Sequence, residues 1–130
     1  SGVIVVDSSA LIEIIRAGPR ADDCINALAA AEAVRISAGT MVESLIVATG
    51  HAAEQPLSDL FDQFGLEVVP VTEERAKLAA RAYRRYGKGR HAAALNFGDC
   101  FAYALARELD WPLLFVGNDF ALTDLKSVLH

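Results

Sequence analysis

Short apolar runs alternate along the chain with longer segments whose apolar residues recur at helical spacing. The runs are rich in β-branched residues and are bounded by turn-forming residues, which is typical of buried strands. The predicted strands are residues 3–6, 34–37, 66–71 and 113–116, with a last short one at residues 127–129. Short buried strands that alternate with helices indicate a parallel sheet covered on both faces.

The ends of the predicted helices carry capping and breaking signals. Ser8 or Ser9 can cap the first helix, which stops at the helix-breaking pair Gly18-Pro19. Thr72 can cap a long helix, residues 73–86, with acids in its first turn and bases in its last, an order that suits the helix dipole. The other predicted helices are residues 20–32, 39–49, 54–64 and 98–108, and residues 87–97 are predicted as a loop.

Apolar residues on the first two helices allow two interpretations. They either fill the core or line a groove for an amphipathic helix of a partner. The residues concerned are Ile12, Ile15, Ile25 and Leu28.

Length and composition predict one domain, residues 1–130, with a substantial core, because 53% of the residues are hydrophobic. Ser1-Gly2 stands in place of a start methionine and is interpreted as a cleavage scar. No apolar run reaches the roughly 20 residues that span a bilayer, and residues 3–6 are too few for the apolar region of a signal peptide. The chain is therefore expected to be cytoplasmic, with no membrane contact.

Cysteine and histidine usage argues against several kinds of site. Cys24 and Cys100 are the only cysteines, and without a CxxC pair they predict neither a disulfide framework nor a thiolate zinc site. Each cysteine is expected to be buried and inert. None of the three histidines is placed to pair with a nucleophile, which argues against a histidine-based mechanism.

Four acidic residues stand at the ends of apolar segments: Asp7, Glu43, Asp99 and Asp119. In a parallel α/β fold, strand ends and helix starts gather along one edge of the sheet. Clustered carboxylates repel one another unless cations lie between them, and oxygen-only ligands favour Mg²⁺ or Mn²⁺ over zinc. The pattern therefore predicts a site for hard divalent metal ions. Two such ions about 4 Å apart could activate a water and stabilise the leaving oxygen of a phosphodiester.

Each acid also has a purely structural interpretation. Asp7 and Asp99 lie where aspartate caps a helix N-terminus, and the last aspartate follows a strand, where turns often contain Asp. Glu43 could reach back to Thr40 in a capping box, unless Ser37 starts that helix earlier and leaves Glu43 on an inner turn. No lysine or arginine is adjacent to any of the four acids, which favours metal ligands.

The net charge of −5 argues against binding to nucleic acid, but less strongly than this total suggests. Leaving the four acids out of the 17 leaves 13 against 12 bases, a balance of −1. A metal-loaded site would not repel phosphate as the bare total implies.

A basic segment without acids, residues 81–91, covers the end of the long predicted helix and the start of the loop after it. It is either an ordinary solvated helix terminus or a surface that grips phosphates, with Tyr83 and Tyr86 available to stack on unpaired bases. Its bases are Arg81, Arg84, Arg85, Lys88 and Arg90.

The segments that carry the four acids resemble motifs of PIN-domain ribonucleases. Residues 5–11 (VVDSSAL) resemble their opening strand and turn, and residues 37–43 resemble the helix that brings their glutamate. Residues 98–106 and 113–120 resemble their last two acidic motifs. The resemblance extends over the chain from Val3, and the compact length is similar to VapC toxins of bacterial toxin–antitoxin pairs.

This resemblance implies a three-layer α/β/α sandwich with a central, mainly parallel sheet. It also implies a metal-dependent endoribonuclease in which Asp7, Glu43, Asp99 and Asp119 are the catalytic, metal-binding acids and Ser8 is a supporting hydroxyl. The implied cofactor is Mg²⁺ or Mn²⁺. The implied partners are an RNA substrate, a VapB antitoxin and a second copy of the chain in a homodimer.

Other functions remain open at this point. One is a PIN nuclease of RNA processing that is not a toxin, and another is a PIN-like binding module without catalysis, which the retention of all four acids disfavours. A phosphatase with a phosphorylated aspartate would need Asp-x-Asp at the first strand, where Ser9 stands instead. The sequence does not name the RNA target.

Overall fold

A four-stranded parallel sheet organises the chain in the computed structural model, which describes residues 2–129. Ser1, in the predicted cleavage scar, lies outside the described residues. The strands are β1 (Val3–Val6), β2 (Ala33–Ser37), β3 (Glu67–Val69) and β4 (Leu113–Leu114). Their order across the sheet is β3-β2-β1-β4, so the first strand is central and every pairing is parallel.

Six helices connect and flank these strands in the described part of the chain. They are α1 (Ser8–Ile15), α2 (Ala21–Ala30), α3 (Ala38–Gly50), α4 (Glu54–Phe64), α5 (Glu73–Tyr86) and α6 (Phe97–Leu109). Most bounds agree with the predicted ones, because the breaks follow residues with strong local preferences. Gly65, for example, ends α4 in the left-handed conformation, with φ of 60°.

Alternation along the strands explains why the sheet has a helical layer on each face. Val5 and Leu113 pack into a core with α5 and α6, whereas Ile4, Val6 and Leu114 pack into a second core with α1, α2 and α4. Successive side chains of a strand point to opposite faces, so a short apolar strand feeds both cores. The predicted three-layer α/β/α sandwich is confirmed.

The positions of the first two predicted acids are set by where the strands end. Asp7 comes directly after β1, and its backbone N–H donates to the Leu114 carbonyl of β4 at 2.9 Å. Ser37 is both the last residue of β2 and the N-cap of α3. The carboxyl ends of the central strands therefore deliver α1 and α3 to one edge of the sheet, as expected for this topology.

The strands predicted over residues 66–71 and 113–116 are shorter in the structure, as β3 and β4. Three other details differ from the sequence-based expectations. The predicted strand at residues 127–129 is reduced to an isolated bridge between Leu113 and Ser127. The predicted caps Ser8 and Ser9 are wrong, because Asp7 is the N-cap of α1.

The third difference concerns the apolar residues of the first two helices. Leu28 is buried in the core, so its assignment to a partner groove is wrong. Ile12, Ile15 and Ile25 are half-buried, and a partner surface there depends on these three alone.

Two further expectations can be compared with the fold. Among residues 2–129, no helix combines the length and apolar character that a membrane crossing requires.

Cys24 and Cys100 are both free and buried, as predicted, and burial raises the pKa of each thiol to about 11. Their thiolates are therefore scarce at neutral pH, which fits an inert role.

Candidate active site

Asp7 ends the first strand and caps the helix that follows it. Its Oδ2 accepts a hydrogen bond from the Ser9 backbone N–H at 3.1 Å, while Oδ1 is buried and has no hydrogen-bond partner. A buried carboxylate oxygen without a partner is costly. Capping therefore accounts for only one of the two oxygens and leaves the other without a partner.

Glu43 lies on an inner turn of α3 and is half-buried. Ser37 starts the helix, so the alternative in which Glu43 forms a capping box with Thr40 is wrong. Instead, Ser8 Oγ donates a hydrogen bond to Glu43 Oε1 at 2.7 Å. Gly98 makes room for the same carboxylate, because a Cβ at that position would collide with Glu43 Oε2.

Asp99 lies in the first turn of α6, in a reciprocal capping box with Asn96. Asn96 Oδ1 accepts from the Asp99 backbone N–H at 2.9 Å, and Asp99 Oδ2 accepts from the Asn96 backbone N–H at 3.0 Å. The capping interpretation of Asp99 is therefore confirmed. The carboxylate is also buried, and its second oxygen takes no part in the box.

Asp119 lies in an exposed turn after β4. The nearby Val116 backbone N–H donates to Ser9 Oγ at 3.0 Å, which ties the start of this segment to α1. The charge of Asp119 lies close enough to Asp99 to raise its pKa. The segment that leads to Asp119 therefore starts beside α1, next to the end of the first strand.

The two buried aspartates are held in surroundings that disfavour their ionised forms. Burial is the largest cause and raises the pKa of Asp7 to about 7. The charges of Glu43 and Asp99 raise this pKa further, whereas hydrogen bonding from Ser9 lowers it. Burial also raises the pKa of Asp99 to about 6, with Asp119 and Glu43 adding to it. The charges acting on both aspartates are carboxylates: Glu43 and Asp99 act on Asp7, and Glu43 and Asp119 act on Asp99.

The four acids have the chemistry of a site for hard cations, but their side chains do not yet surround a single metal position. Among residues 2–129, no three His, Cys, Asp or Glu side chains already converge where they could hold a metal ion. Carboxylates that lie close together repel one another, and a bound cation would remove that repulsion. The unpartnered Asp7 oxygen, the space beside Gly98 and the all-oxygen donor set fit Mg²⁺ or Mn²⁺.

The predicted RNA-binding bases are exposed but are divided between two faces of α5. Arg81, Arg84 and Arg85 line a cavity of about 620 Å³ between α5 and α6. Arg84 also lines a second groove, of about 650 Å³, together with Lys88. Arg90 is exposed in the loop after α5.

Part of the basic segment is occupied by structural contacts. Arg85 pairs with Asp124 at 3.8 Å, and Arg107 pairs with the same carboxylate at 3.2 Å. Tyr86 is buried, so its predicted availability for stacking on bases is wrong, whereas Tyr83 is partly exposed on the groove wall. The ordinary structural interpretation therefore applies to Arg85 and Tyr86.

Sequence reasoning missed two residues that position the acids. Asn96 stands three residues before Asp99, which is capping-box spacing, so the sequence did contain a signal for it. Gly98 has no such signal, since its importance depends on the approach of Glu43 from another helix.

Comparison with known proteins adds family relationships to this geometry. The PIN domain family matches residues 4–126. Ribonuclease VapC36 of Mycobacterium tuberculosis is 46% identical over 127 residues, which cover 95% of this chain and 91% of that protein. Ribonuclease VapC of Mycolicibacterium smegmatis is 40% identical over 128 residues, which cover 96% of this chain and 99% of that protein.

Solved structures with low sequence identity share the fold. The toxin VapC20 of Mycobacterium tuberculosis, described as cleaving the sarcin-ricin loop, superposes with a TM-score of 0.77 at 18% identity, covering 96% of this chain and 98% of that one. A toxin–antitoxin complex from Klebsiella pneumoniae superposes with a TM-score of 0.69 at 20% identity, covering 93% of this chain and 92% of that one.

Proposed function

The chain belongs to the PIN domain family and, within it, to the VapC ribonucleases, and on this premise we propose that it is an endoribonuclease toxin. Its reaction is the hydrolysis of RNA phosphodiester bonds. The observation that supports the proposal is the buried Oδ1 of Asp7, which has no hydrogen-bond partner and lies at the end of the first strand, next to the Ser8 hydroxyl that binds Glu43.

The predicted site residues take distinct parts in the proposed site. Asp7, Glu43, Asp99 and Asp119 would hold Mg²⁺ or Mn²⁺, which when bound supplies Lewis acidity toward water and phosphate. Ser8 fixes the orientation of Glu43 through its 2.7 Å hydrogen bond. Asn96 fixes Asp99 through the capping box, which leaves one carboxylate oxygen facing the site.

The basic residues supply the grip on RNA in this proposal. Arg81, Arg84, Lys88 and Arg90 are exposed, and a phosphodiester chain that reaches the acids requires positive charge beside them. Arg85 contributes less, because Asp124 already neutralises part of its charge.

The partner proposed for the toxin is a VapB-type antitoxin. Structural neighbours of the fold include toxin–antitoxin complexes, and a free ribonuclease of this kind would damage its own cell unless inhibited. The homodimer implied by the family resemblance stays a prediction, which sedimentation of the purified chain measures directly.

Cleavage of RNA by the purified chain tests the proposal. Activity should disappear with EDTA and return with Mg²⁺ or Mn²⁺, because the donor set is all oxygen. Asp7→Asn and Asp99→Asn should each abolish cleavage while leaving the melting temperature of the metal-free protein unchanged or higher, since each removes a repelling charge.

The outcomes separate the open alternatives. Full activity of both variants, or cleavage that persists after thorough chelation, would refute the metal-dependent nuclease. A wild-type chain that binds RNA and cuts none would indicate a silent binding module. A nuclease that cells tolerate without a partner would indicate RNA processing in place of toxicity.

A further inference from the structure

Four arginine side chains line the cavity of about 620 Å³ between α5 and α6, which we call the arginine cavity. They are Arg81, Arg84, Arg85 and Arg107. The whole chain has 12 lysines and arginines and a net charge of −5, so a third of its basic residues are concentrated at this one cavity.

Two packed helices carry these arginines. Residues 78, 81, 82 and 85 of α5 recur at intervals of three or four, and residues 103, 104, 107 and 108 of α6 share a face in the same way. Leu78, Ala82 and Ala104 supply the apolar lining between the charged groups. The positions of the arginines are therefore set by helix packing and not by a loop.

The carboxylate of Asp124 is the counter-ion of this cavity. Its Oδ1 accepts a hydrogen bond from Tyr103 Oη at 2.6 Å. Its Oδ2 lies 3.2 Å from Arg107 Nε and 3.8 Å from a guanidinium nitrogen of Arg85. These three contacts hold one negative charge against two of the four arginines.

The remaining charge of the cavity is positive. Glu108 also lines it, but the Glu108 carboxylate pairs with Arg75 at 3.1 Å. Within residues 2–129, Arg81 and Arg84 form no ion pair. Four guanidinium groups thus face the single carboxylate of Asp124, which leaves a surplus of three positive charges.

Two features of the chain place the cavity relative to the acids. Tyr103 follows Asp99 by four residues on α6, so the two side chains share a face of that helix. Arg107 follows one turn later, so its Cα lies about 12 Å from that of Asp99 along the helix axis. Asp124 comes five residues after Asp119, whose charge raises the pKa of Asp99. The cavity therefore continues from the proposed metal site along α6.

We propose that the arginine cavity is a phosphate subsite for the RNA substrate, in which Asp124 holds the place of a backbone phosphate until RNA binds. A phosphodiester that enters the cavity replaces Asp124 at Arg85 and Arg107 and also meets the two unpaired arginines. All four cations are arginines, whose planar guanidinium groups donate paired hydrogen bonds to phosphate oxygens. The subsite rests on the proposed ribonuclease function and adds Arg107 and Asp124 to the residues that set RNA affinity.

The surplus charge favours RNA over an apolar protein surface as the occupant. Such a surface would bury guanidinium groups without partners, which is costly, and the cavity offers it little apolar lining in return. A strand of RNA presents one negative charge at each phosphate and can compensate several of the arginines at once.

Binding of a short fluorescein-labelled single-stranded RNA of mixed sequence, measured in EDTA over a range of NaCl concentrations, tests the cations. Arg107→Gln should weaken binding and reduce the salt slope by about 0.7 for each phosphate that is no longer neutralised. Arg81→Gln, which breaks no ion pair among residues 2–129, should act in the same way. Arg107→Lys should keep part of the affinity, because the charge remains while the paired hydrogen bonds are lost. Arg16→Gln, at the exposed end of α1, removes the same charge and should change neither quantity.

The variant Asp124→Asn tests the counter-ion. The amide oxygen can still accept from Tyr103 Oη, but the negative charge is gone, so RNA should bind roughly 3- to 10-fold more tightly. Asp62→Asn, exposed on α4, changes the net charge equally and should have a much smaller effect.

A double-mutant cycle shows whether Asp124 acts through the arginines. In the Arg107→Gln background, Asp124→Asn should raise RNA affinity clearly less than in the wild type, because one of the guanidinium groups that it neutralises is absent. Asp62→Asn should have the same effect in both backgrounds. Thermal melts of every variant establish that each is folded.

Three results would overturn the subsite. The first is wild-type affinity and salt slope in both Arg107→Gln and Arg81→Gln. The second is a gain from Asp124→Asn that Asp62→Asn reproduces, or that is equally large without Arg107. The third is a glutamate oligomer of matched charge that binds the wild type as tightly as RNA does, which would assign the cavity to an acidic protein segment.

The wild type in the same preparations separates this subsite from the proposed function. Cleavage of RNA with Mg²⁺ alongside any of the three results would show that only the subsite had failed. A wild type that neither binds nor cuts RNA would reject the proposed function as well.

Discussion

One hydrogen bond, from Ser8 Oγ to Glu43 Oε1, joins the first helix to the third at the centre of the proposed site. Both residues lie close to the sheet edge, and the bond fixes the orientation of a carboxylate that is otherwise only half-buried. A hydroxyl that holds a ligand in place acts on the site without binding the substrate itself.

Removal of this hydroxyl should weaken the site without unfolding the protein. Ser8→Ala is expected to lower Mn²⁺ affinity and RNA cleavage by roughly 10- to 100-fold, because Glu43 is no longer held. Ser8→Thr keeps a hydroxyl and should keep most of both. Calorimetric titration of Mn²⁺ and cleavage rates measure the two effects, and wild-type values for the alanine variant would contradict the positioning role.

The two buried aspartates give the metal-free protein a distinctive dependence of stability on pH. Their pKa values in the fold, about 7 for Asp7 and about 6 for Asp99, lie above the ordinary value of 3.8. Between those limits the folded chain retains protons that the unfolded chain has released, so the free energy of unfolding falls as pH rises. In EDTA, the melting temperature should be lower at pH 8 than at pH 5 by an amount on the order of 5 °C or more.

Two controls separate this effect from other titrations. Asp7→Asn should reduce the difference in melting temperature, because its side chain has no proton to lose in this range. Mg²⁺ should raise the melting temperature more at pH 8 than at pH 5, since metal binding requires ionised ligands. A pH dependence that is the same with and without Asp7 would assign it to other groups.

At the scale of elements, the approach of α3 to α6 positions Glu43, one of the proposed metal ligands. Two glycines permit it: a Cβ on Gly39 would collide with the Phe101 ring, and a Cβ on Gly98 would collide with Glu43 Oε2. Both glycines lie in helices, where alanine would otherwise be the more favourable residue. Their presence thus reflects close packing and not backbone flexibility.

A matched pair of glycine substitutions tests this packing. Gly98→Ala should keep the fold but displace Glu43, lowering Mn²⁺ affinity and cleavage on the order of 10-fold or more. Gly50→Ala, at the exposed end of α3 with no atom within 4 Å of the added Cβ, should leave activity unchanged and raise stability by at most about 1 kcal/mol. Thermal melts and cleavage rates distinguish the two, and a fully active Gly98→Ala would place Glu43 outside the site.

The elements also indicate how far sequence reasoning reaches. Helix bounds such as those of α4 and α5 follow from local signals, namely Gly65 in the left-handed conformation and the Thr72 cap, and they were predictable. The start of α1 was left open, because Asp7, Ser8 and Ser9 are all good caps, and the fold selects Asp7. The last predicted strand became a single bridge, since its pairing depends on a distant partner.

At the scale of the whole molecule, the parallel topology makes the acid cluster predictable from sequence. Strand ends meet at one edge of the sheet, so acids far apart in sequence could be expected to interact. Burial is the main cause of the raised pKa of Asp7 and of Asp99, and neighbouring carboxylates add to both shifts. The ion pair of Arg85 was not predictable, because its partner Asp124 follows α6 in sequence and reaches α5 only in the folded chain.

The same electrostatics sets the expected behaviour of an inhibitor. The proposed metal-binding carboxylates would attract a lysine or arginine of the antitoxin as well as a metal ion, so the two should compete. An amphipathic helix of the antitoxin can add contacts to Ile12 and Ile15, which remain half-buried on α1.

We therefore expect inhibition of RNA cleavage by the protein encoded immediately upstream to weaken as the Mg²⁺ concentration rises, and to depend on one basic residue of that protein. Titration of Mg²⁺ against the purified complex measures this, with NaCl at matched ionic strength as the control for simple screening. Inhibition that responds equally to both salts would place the inhibitor away from the acids, and an upstream protein that neither binds nor inhibits would remove the toxin assignment while leaving the nuclease in place.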